Sequence, residues 1–64
     1  MEVDHKKVAI AFEKQTGYDK SDVTEIVEAF PMSMTGHIHT DSRTFMFKLT
    51  PDGRVKKNSF IEQK

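Results

Sequence analysis

The chain has 64 residues, with ten basic residues balanced by ten acidic ones, and it contains no cysteine. This length leaves room for a single core, so we expect one domain over residues 1–64, held by neither disulfides nor a Cys-ligated zinc ion. The zero net charge argues against a general electrostatic nucleic-acid binder. No apolar run is long enough to span a bilayer, and we expect a soluble, cytoplasmic protein.

The first pattern predicts a helix from about Asp4 to Thr16. Its apolar residues recur at helical spacing and include Val8, Ala11 and Phe12. Gly17 is placed to end this helix, and Tyr18 can supply the apolar contact that accompanies such an end.

The segment from Asp19 to Phe30 predicts a second helix. Asp19 or Ser21 can cap its start, and Pro31 stops it. A single apolar stripe follows the i, i+3, i+4, i+7 spacing of a helix through Val23, Ile26, Val27 and Phe30. Only a short turn separates the two predicted helices, so we expect an antiparallel helical hairpin.

After Pro31 the apolar period changes from 3.6 to two, which indicates strands. The sequence Thr50-Pro51-Asp52-Gly53 is typical of a type I turn with a glycine bulge, and it sets Leu49 opposite Val55 and Lys48 opposite Lys56.

The connection around Asp41 and Ser42 decides which face each strand residue occupies. A two- or four-residue loop keeps Ile38 on the same face as Phe45, whereas a three-residue loop would put both nearby histidines there instead.

These elements predict an α+β fold in the order ααβββ: a two-helix hairpin packed on one face of a three-stranded antiparallel meander. The covered face is expected to hold Met34, Ile38, Phe45, Phe47, Leu49 and Val55. The alternative is an open sheet whose third strand breaks near Asn58, because Val55 and Phe60 are out of phase.

A short histidine motif runs from His37 to Asp41, with His39 between them. Alternate residues of a strand project to one side, and two imidazoles with a carboxylate are plausible zinc or iron ligands. The string resembles the His-x-His-x-Asp signature of the metallo-β-lactamase superfamily. Ser42 stands where that family has a further histidine, and the family's domain is several times longer. We therefore expect solvent-facing histidines beside a loop aspartate and assign no metal or cofactor.

Charge is distributed unevenly along the chain: residues 1–30 carry a net charge of −3 and residues 31–64 a net charge of +3. The open face of the predicted sheet would then be basic. Such a face suits an acidic protein surface or a nucleic-acid backbone with a stacked base. The residues predicted to bind a partner there are Lys48, Arg54, Lys56, Met46 and Phe60. An alternative docking surface is the acidic side of the second helix, with Asp22, Glu25 and Glu28.

A second apolar line on the first helix holds Val3 and Ile10. A helix that is apolar on two sides is either buried between layers or paired with another subunit, so a homodimer through these residues is one expectation. The other expectation is that Val3 and Ile10 lie at the edge of the core of the monomer.

The segment from Ala11 to Phe30 resembles the N-terminal helical hairpin of the HU/IHF nucleoid proteins, which continue with a three-stranded sheet. In that family, long basic arms that clasp DNA lie between strands two and three. Here a tight turn, Pro51-Asp52-Gly53, takes that place. The resemblance therefore implies dimerisation more than DNA binding.

Catalysis has little support, since the serines lie in no nucleophile-elbow context and no glycine-rich phosphate loop is present. We expect a small non-enzymatic regulatory or accessory protein that binds another protein. Its size is typical of phage or mobile-element products. The alternative is a nucleic-acid-binding dimer that uses the basic sheet face.

Overall fold

The chain folds into one α-helix and a four-stranded antiparallel sheet in the computed structural model, which describes residues 2–64. Helix α1 spans His5–Thr16, and a 3-10 turn spans Lys20–Asp22. The strands are β1 (Val23–Glu28), β2 (Thr35–Thr40), β3 (Thr44–Lys48) and β4 (Ile61–Gln63). They lie in the sheet in chain order, so β1 and β4 are its edges.

Helix α1 begins one residue after the predicted start at Asp4 and ends at Thr16, as predicted. The Asp4 carboxylate caps it by accepting from the backbone N–H groups of Lys6 and Lys7. Gly17 ends it in the left-handed conformation, and its N–H donates to the carbonyl of Glu13.

The predicted helical hairpin is wrong, because the second predicted helix is the edge strand β1. The Asp19 carboxylate does cap a helical turn, but that turn ends after three residues. Four of the five residues from 23 to 27 are β-branched, and such residues favour strands over helices. The fold remains α+β, with one helix and four strands in place of the order ααβββ.

A β-bulge explains why β1 has the apolar spacing of a helix. The register between β1 and β2 shifts between Val23 and Glu25, so one extra residue lies in β1. Val23 and Ile26 both pack against the core although they are three positions apart. The resemblance to the HU/IHF hairpin is lost with the second helix.

The β2–β3 hairpin has the predicted register. Thr40 N–H donates to the carbonyl of Arg43, which closes a two-residue turn at Asp41 and Ser42. Ile38 consequently lies opposite Phe45 on the face that α1 covers.

The turn after β3 is also as predicted, since Gly53 N–H donates to the carbonyl of Thr50 and Leu49 bridges Val55. Gly53 has φ +83°. The bulge requires this conformation, which residues with a Cβ atom rarely adopt.

The third predicted strand does not continue from Val55, and the alternative break near Asn58 is confirmed. The register moves from Leu49 opposite Val55 to Met46 opposite Ile61, which leaves three extra residues looped out between them. Asn58 takes φ +59° in this loop, and its N–H donates to the side chain of Gln15 on α1. The loop lets the chain return to the sheet as β4.

The core lies between α1 and one face of the sheet, here called the covered face. Its buried residues are Val3, Val8, Phe12, Ile38, Phe45, Phe47 and Leu49, and Val55 packs against them. The predicted covered face is confirmed except for Met34, which lies just before β2 and is exposed.

Gly36 makes room for a core phenylalanine. A Cβ atom at this position would lie 2.7 Å from the ring of Phe47 and 2.7 Å from the carbonyl oxygen of Val27. Both separations are far below van der Waals contact, so the packing of Phe47 over the sheet depends on glycine here.

No helix in the described part of the chain combines the length and the apolar character that crossing a membrane requires.

Candidate functional site

The sheet face opposite α1 carries three rows of side chains, and we call it the uncovered face. Residues directly opposite each other on paired strands share a face, and their side chains alternate between the two faces along each strand. The strand registers therefore assign each row. The central row is Val27, His37, Met46 and Ile61. The first outer row is Glu25, His39, Thr44 and Gln63. The second outer row is Thr35, Lys48 and Lys56.

The central row is apolar except for His37 and crosses all four strands. Val27 is 47% exposed and Ile61 is 52% exposed, while Met46 is partly buried between its neighbours. Large apolar side chains that lie together on a surface mark an interaction site more often than single ones do. We call Val27, Met46 and Ile61 the apolar row.

The two outer rows carry opposite charges at opposite corners. Glu25 is at the β1 end of one row. Lys48 and Lys56 are at the other end of the face, where the Lys56 N–H donates to the Lys48 carbonyl at 2.8 Å. Both lysines are exposed.

The histidine motif lies on this face, as predicted from the loop length. The Nδ1 atom of His39 is 3.0 Å from the hydroxyl of Thr44 on the neighbouring strand, so this nitrogen already has a hydrogen-bond partner. Asp41 belongs to the turn after β2. Within residues 2–64, no three His, Cys, Asp or Glu side chains converge as metal ligands would.

The five residues predicted to bind a partner do not all lie together. Lys48, Lys56 and Met46 share the uncovered face. Arg54 belongs to the turn after β3, where its Nε atom is 3.5 Å from the Asp52 carboxylate. A hydrogen bond from the Thr50 hydroxyl, with a weaker contribution from Arg54, lowers the pKa of Asp52.

The placement of Phe60 on the open face is wrong. Its ring lies 5.4 Å from the ring of Phe12 and 5.6 Å from that of Phe47, in the core under α1. The loop before β4 causes this, because its three extra residues change the alternation that the sequence suggests.

The predicted acidic helix surface also does not form. Asp22 ends the 3-10 turn, and Glu25 lies on the uncovered face. Glu28 lies opposite Gly36 on the covered side of the sheet, where it is 2.8 Å from His5. The three carboxylates therefore face different surroundings.

The two residues of the predicted dimer surface on helix 1 are separated as well. Val3 precedes α1 and is part of the buried core, while Ile10 is partly exposed on the helix. This arrangement matches the alternative in which Val3 edges the core of the monomer.

Sequence reasoning missed two members of the apolar row. The helical spacing places Val27 in the buried stripe of a predicted helix, and Ile61 follows a break that interrupts the alternation. The signal for Val27 was the β-branched run from 23 to 27, which indicates a strand with alternating faces.

A groove of about 480 Å³ lies between the start of α1 and the turn after β3. Its charged lining residues carry both signs and include Asp4, Lys7, Asp52 and Arg54. The Asp4 carboxylate already caps α1, and that of Asp52 already pairs with Arg54. These contacts make the groove a weaker candidate than the uncovered face.

Comparison of the chain with protein-family models, with curated protein sequences and with solved structures finds no match.

Proposed function

We propose that this chain is a small, non-enzymatic cytoplasmic protein with a regulatory or accessory role, and that it acts by binding protein through its uncovered face. The observation that carries the proposal is the apolar row on the sheet face opposite α1, to which three of the four strands contribute a side chain: Val27 from β1, Met46 from β3 and Ile61 from β4. Burial of such side chains against another protein gains about 25 cal/mol for each Å² of apolar surface removed from water.

The composition of the uncovered face fits a protein interface. Protein interfaces combine an apolar centre with a polar and charged rim. Here the apolar row is central, and Glu25, Lys48 and Lys56 lie towards the corners. Methionine adapts its shape to a partner, which suits Met46 at the middle of the row.

The nucleic-acid alternative has less support from this face. Proteins that bind single strands stack bases on exposed aromatic rings. The five phenylalanines of this chain instead pack in or against the core, and they are Phe12, Phe30, Phe45, Phe47 and Phe60. Tyr18 is exposed, but its ring lies beside those of Phe12 and Phe45 and not on the uncovered face. Lys48 and Lys56 give this face only a small positively charged area, at one corner.

Site-specific photocrosslinking tests the proposal. A photoreactive phenylalanine analogue is placed at Val27 or Ile61 in the native host, and the adducts are identified by mass spectrometry. The matched control carries the analogue at Met32, which is 95% exposed and belongs to the loop between β1 and β2 and to none of the three rows of the uncovered face.

We expect protein adducts at positions 27 and 61, and few at position 32. Equal yields at all three positions would contradict a specific face. Adducts with nucleic acid at positions 27 and 61 would favour the alternative function instead.

A further inference from the structure

We propose that the protein bound at the uncovered face is a second copy of this chain, packed face to face about a two-fold axis. This inference rests on the proposed function and names the partner for the same site. The axis lies between the two sheets, parallel to their planes. In such a dimer the same surface serves both subunits, so the face must complement itself.

The dimensions of the uncovered face allow this symmetry. Four strands about 4.8 Å apart separate the Cα atoms of the two edges by about 14 Å. The two outer rows are four residues apart along a strand, which is also about 14 Å. The face is therefore close to square, and a two-fold axis along one of its diagonals places the second copy on it with the strands crossing at nearly 90°.

The charges complement each other about the same diagonal. Glu25 and Lys56 lie at opposite corners of the square, and the axis is the diagonal that joins the other two corners. The two-fold operation consequently brings Glu25 of one copy over Lys56 of the other, and it does so twice. Lys48 lies beside Lys56, so the acidic corner also reduces the repulsion between these two lysines.

The apolar rows of the two copies cross at their centres. His37 and Met46 are the middle pair of the central row and lie nearest the axis. In this arrangement the second copy covers Met46 with its own central row, and it covers Val27 and Ile61 with its outer rows. The chain has a net charge of zero, so two copies do not repel each other at long range.

The area of the face sets the expected affinity. Including the side-chain rim, the square is about 20 Å on each side, or about 400 Å² for each copy, which is half of the roughly 800 Å² per partner in a standard interface. We therefore expect a weak, concentration-dependent dimer rather than an obligate one.

Sedimentation velocity over the micromolar range tests the dimer with the full chain. The variants are Val27→Lys on the apolar row and Met32→Lys as the matched control, and circular dichroism confirms that both are folded. We expect wild type and Met32→Lys to dimerise alike. Val27→Lys should raise the dissociation constant by about ten-fold or more, because it places a charge on the apolar row, which the second copy covers.

Charge reversal tests the pairing of the corners. Glu25→Lys or Lys56→Glu alone should weaken the dimer by about two- to five-fold, as expected for an exposed ion pair. The double variant should recover the wild-type constant, because the reversed charges again face each other in the two-fold dimer. Single effects without recovery would overturn this geometry.

The remaining outcomes separate this inference from the proposed function. A wild-type chain that stays monomeric at the highest concentration, or a dimer that Val27→Lys leaves unchanged, overturns the second copy as partner. If photocrosslinking at position 27 then yields a different protein, the proposed function stands without the dimer. If it yields no protein, both fail.

Discussion

The Nε2 atom of His5 lies 2.8 Å from Oε2 of Glu28, and this contact joins the first turn of α1 to the edge strand β1. The other carboxylate oxygen of Glu28 accepts a hydrogen bond from the N–H of Phe30 at 2.9 Å. The hydrogen bond with His5 is the main reason that the pKa of Glu28 lies below its ordinary value, and the Phe30 N–H lowers it further.

Replacement of Glu28 by glutamine should therefore destabilise the protein at neutral pH and have less effect in acid. A carboxyl group whose pKa is lower in the folded state stabilises the fold above its unfolded pKa of about 4.3, and this contribution is lost as the pH falls through the folded pKa. The loss at pH 7 should be about 1 kcal/mol or less, because His5 is half exposed.

Urea denaturation at several pH values measures this difference. Glu25→Gln is the matched control on the same strand, at a protein concentration low enough to keep the chain monomeric, since the Glu25 carboxylate has no hydrogen-bond partner among the described residues. A gap between wild type and Glu28→Gln that stays constant from pH 7 down to pH 3 would contradict the assigned role.

Gly36→Ala should destabilise the protein by about 1–3 kcal/mol, the usual cost of overpacking a core. The added methyl group would overlap the Phe47 ring and the Val27 carbonyl, and backbone cannot move aside as a flexible side chain can. Thermal unfolding measures the loss.

His37→Ala is the control for this variant, because His37 is the next residue but projects from the exposed side of the sheet. Its effect on the stability of the monomer, measured at low protein concentration, should stay within about 0.5 kcal/mol. Equal stabilities of Gly36→Ala and His37→Ala would show that Phe47 can repack.

The β2–β3 hairpin could be predicted from sequence because two independent signals agree there. Alternation sets Ile38 and Phe45 on one face, and the turn at Asp41 and Ser42 gives the same register. The helix predicted for the segment from 19 to 30 is wrong because the signals in that segment conflict. A bulge gives Val23 and Ile26 helical spacing, and only the β-branched residues indicate the strand.

The candidate site was predictable only in part for the same reason. The places of Met46 and Lys48 follow from the alternation in β3, and that of Lys56 follows from the turn. Val27 and Phe60 each lie beyond an irregularity, namely the bulge in β1 and the loop before β4. Short-range patterns carry no information on the number of residues that such an irregularity adds.

The Ser59 hydroxyl takes the place of a backbone hydrogen-bond partner for Lys48. It does so at the point where the backbone hydrogen bonds between β3 and the following segment are interrupted. The Lys48 N–H donates to the Ser59 hydroxyl oxygen at 3.2 Å, and the hydroxyl in turn donates to the Lys48 carbonyl at 3.4 Å. Ser59 is buried, so water cannot easily replace its hydroxyl.

Ser59→Ala should therefore cost about 1–3 kcal/mol, because it leaves the Lys48 N–H group, in a partly buried position, without its partner. The Lys48 amide should also exchange its hydrogen faster, which NMR measures at that residue. Ser42→Ala in the exposed β2–β3 turn is the control and should leave both quantities unchanged. If the Lys48 amide exchanges at the same rate in Ser59→Ala as in wild type, the Ser59 hydroxyl is not the partner of that amide.

Nucleic-acid binding can be tested directly, and we expect none that is specific to the uncovered face. Gel-shift titrations of single- and double-stranded DNA and RNA should be run at several salt concentrations. Binding through phosphate contacts releases the counterions that were bound to the nucleic acid, so its affinity falls steeply as the salt concentration rises. Among the described residues of these rows, Lys48 and Lys56 are the lysines or arginines, so any such slope should correspond to about two phosphates at most. The decisive variant is Lys48→Glu with Lys56→Glu. Tight binding that falls steeply with salt and disappears in this variant would replace the protein-binding proposal with the nucleic-acid one.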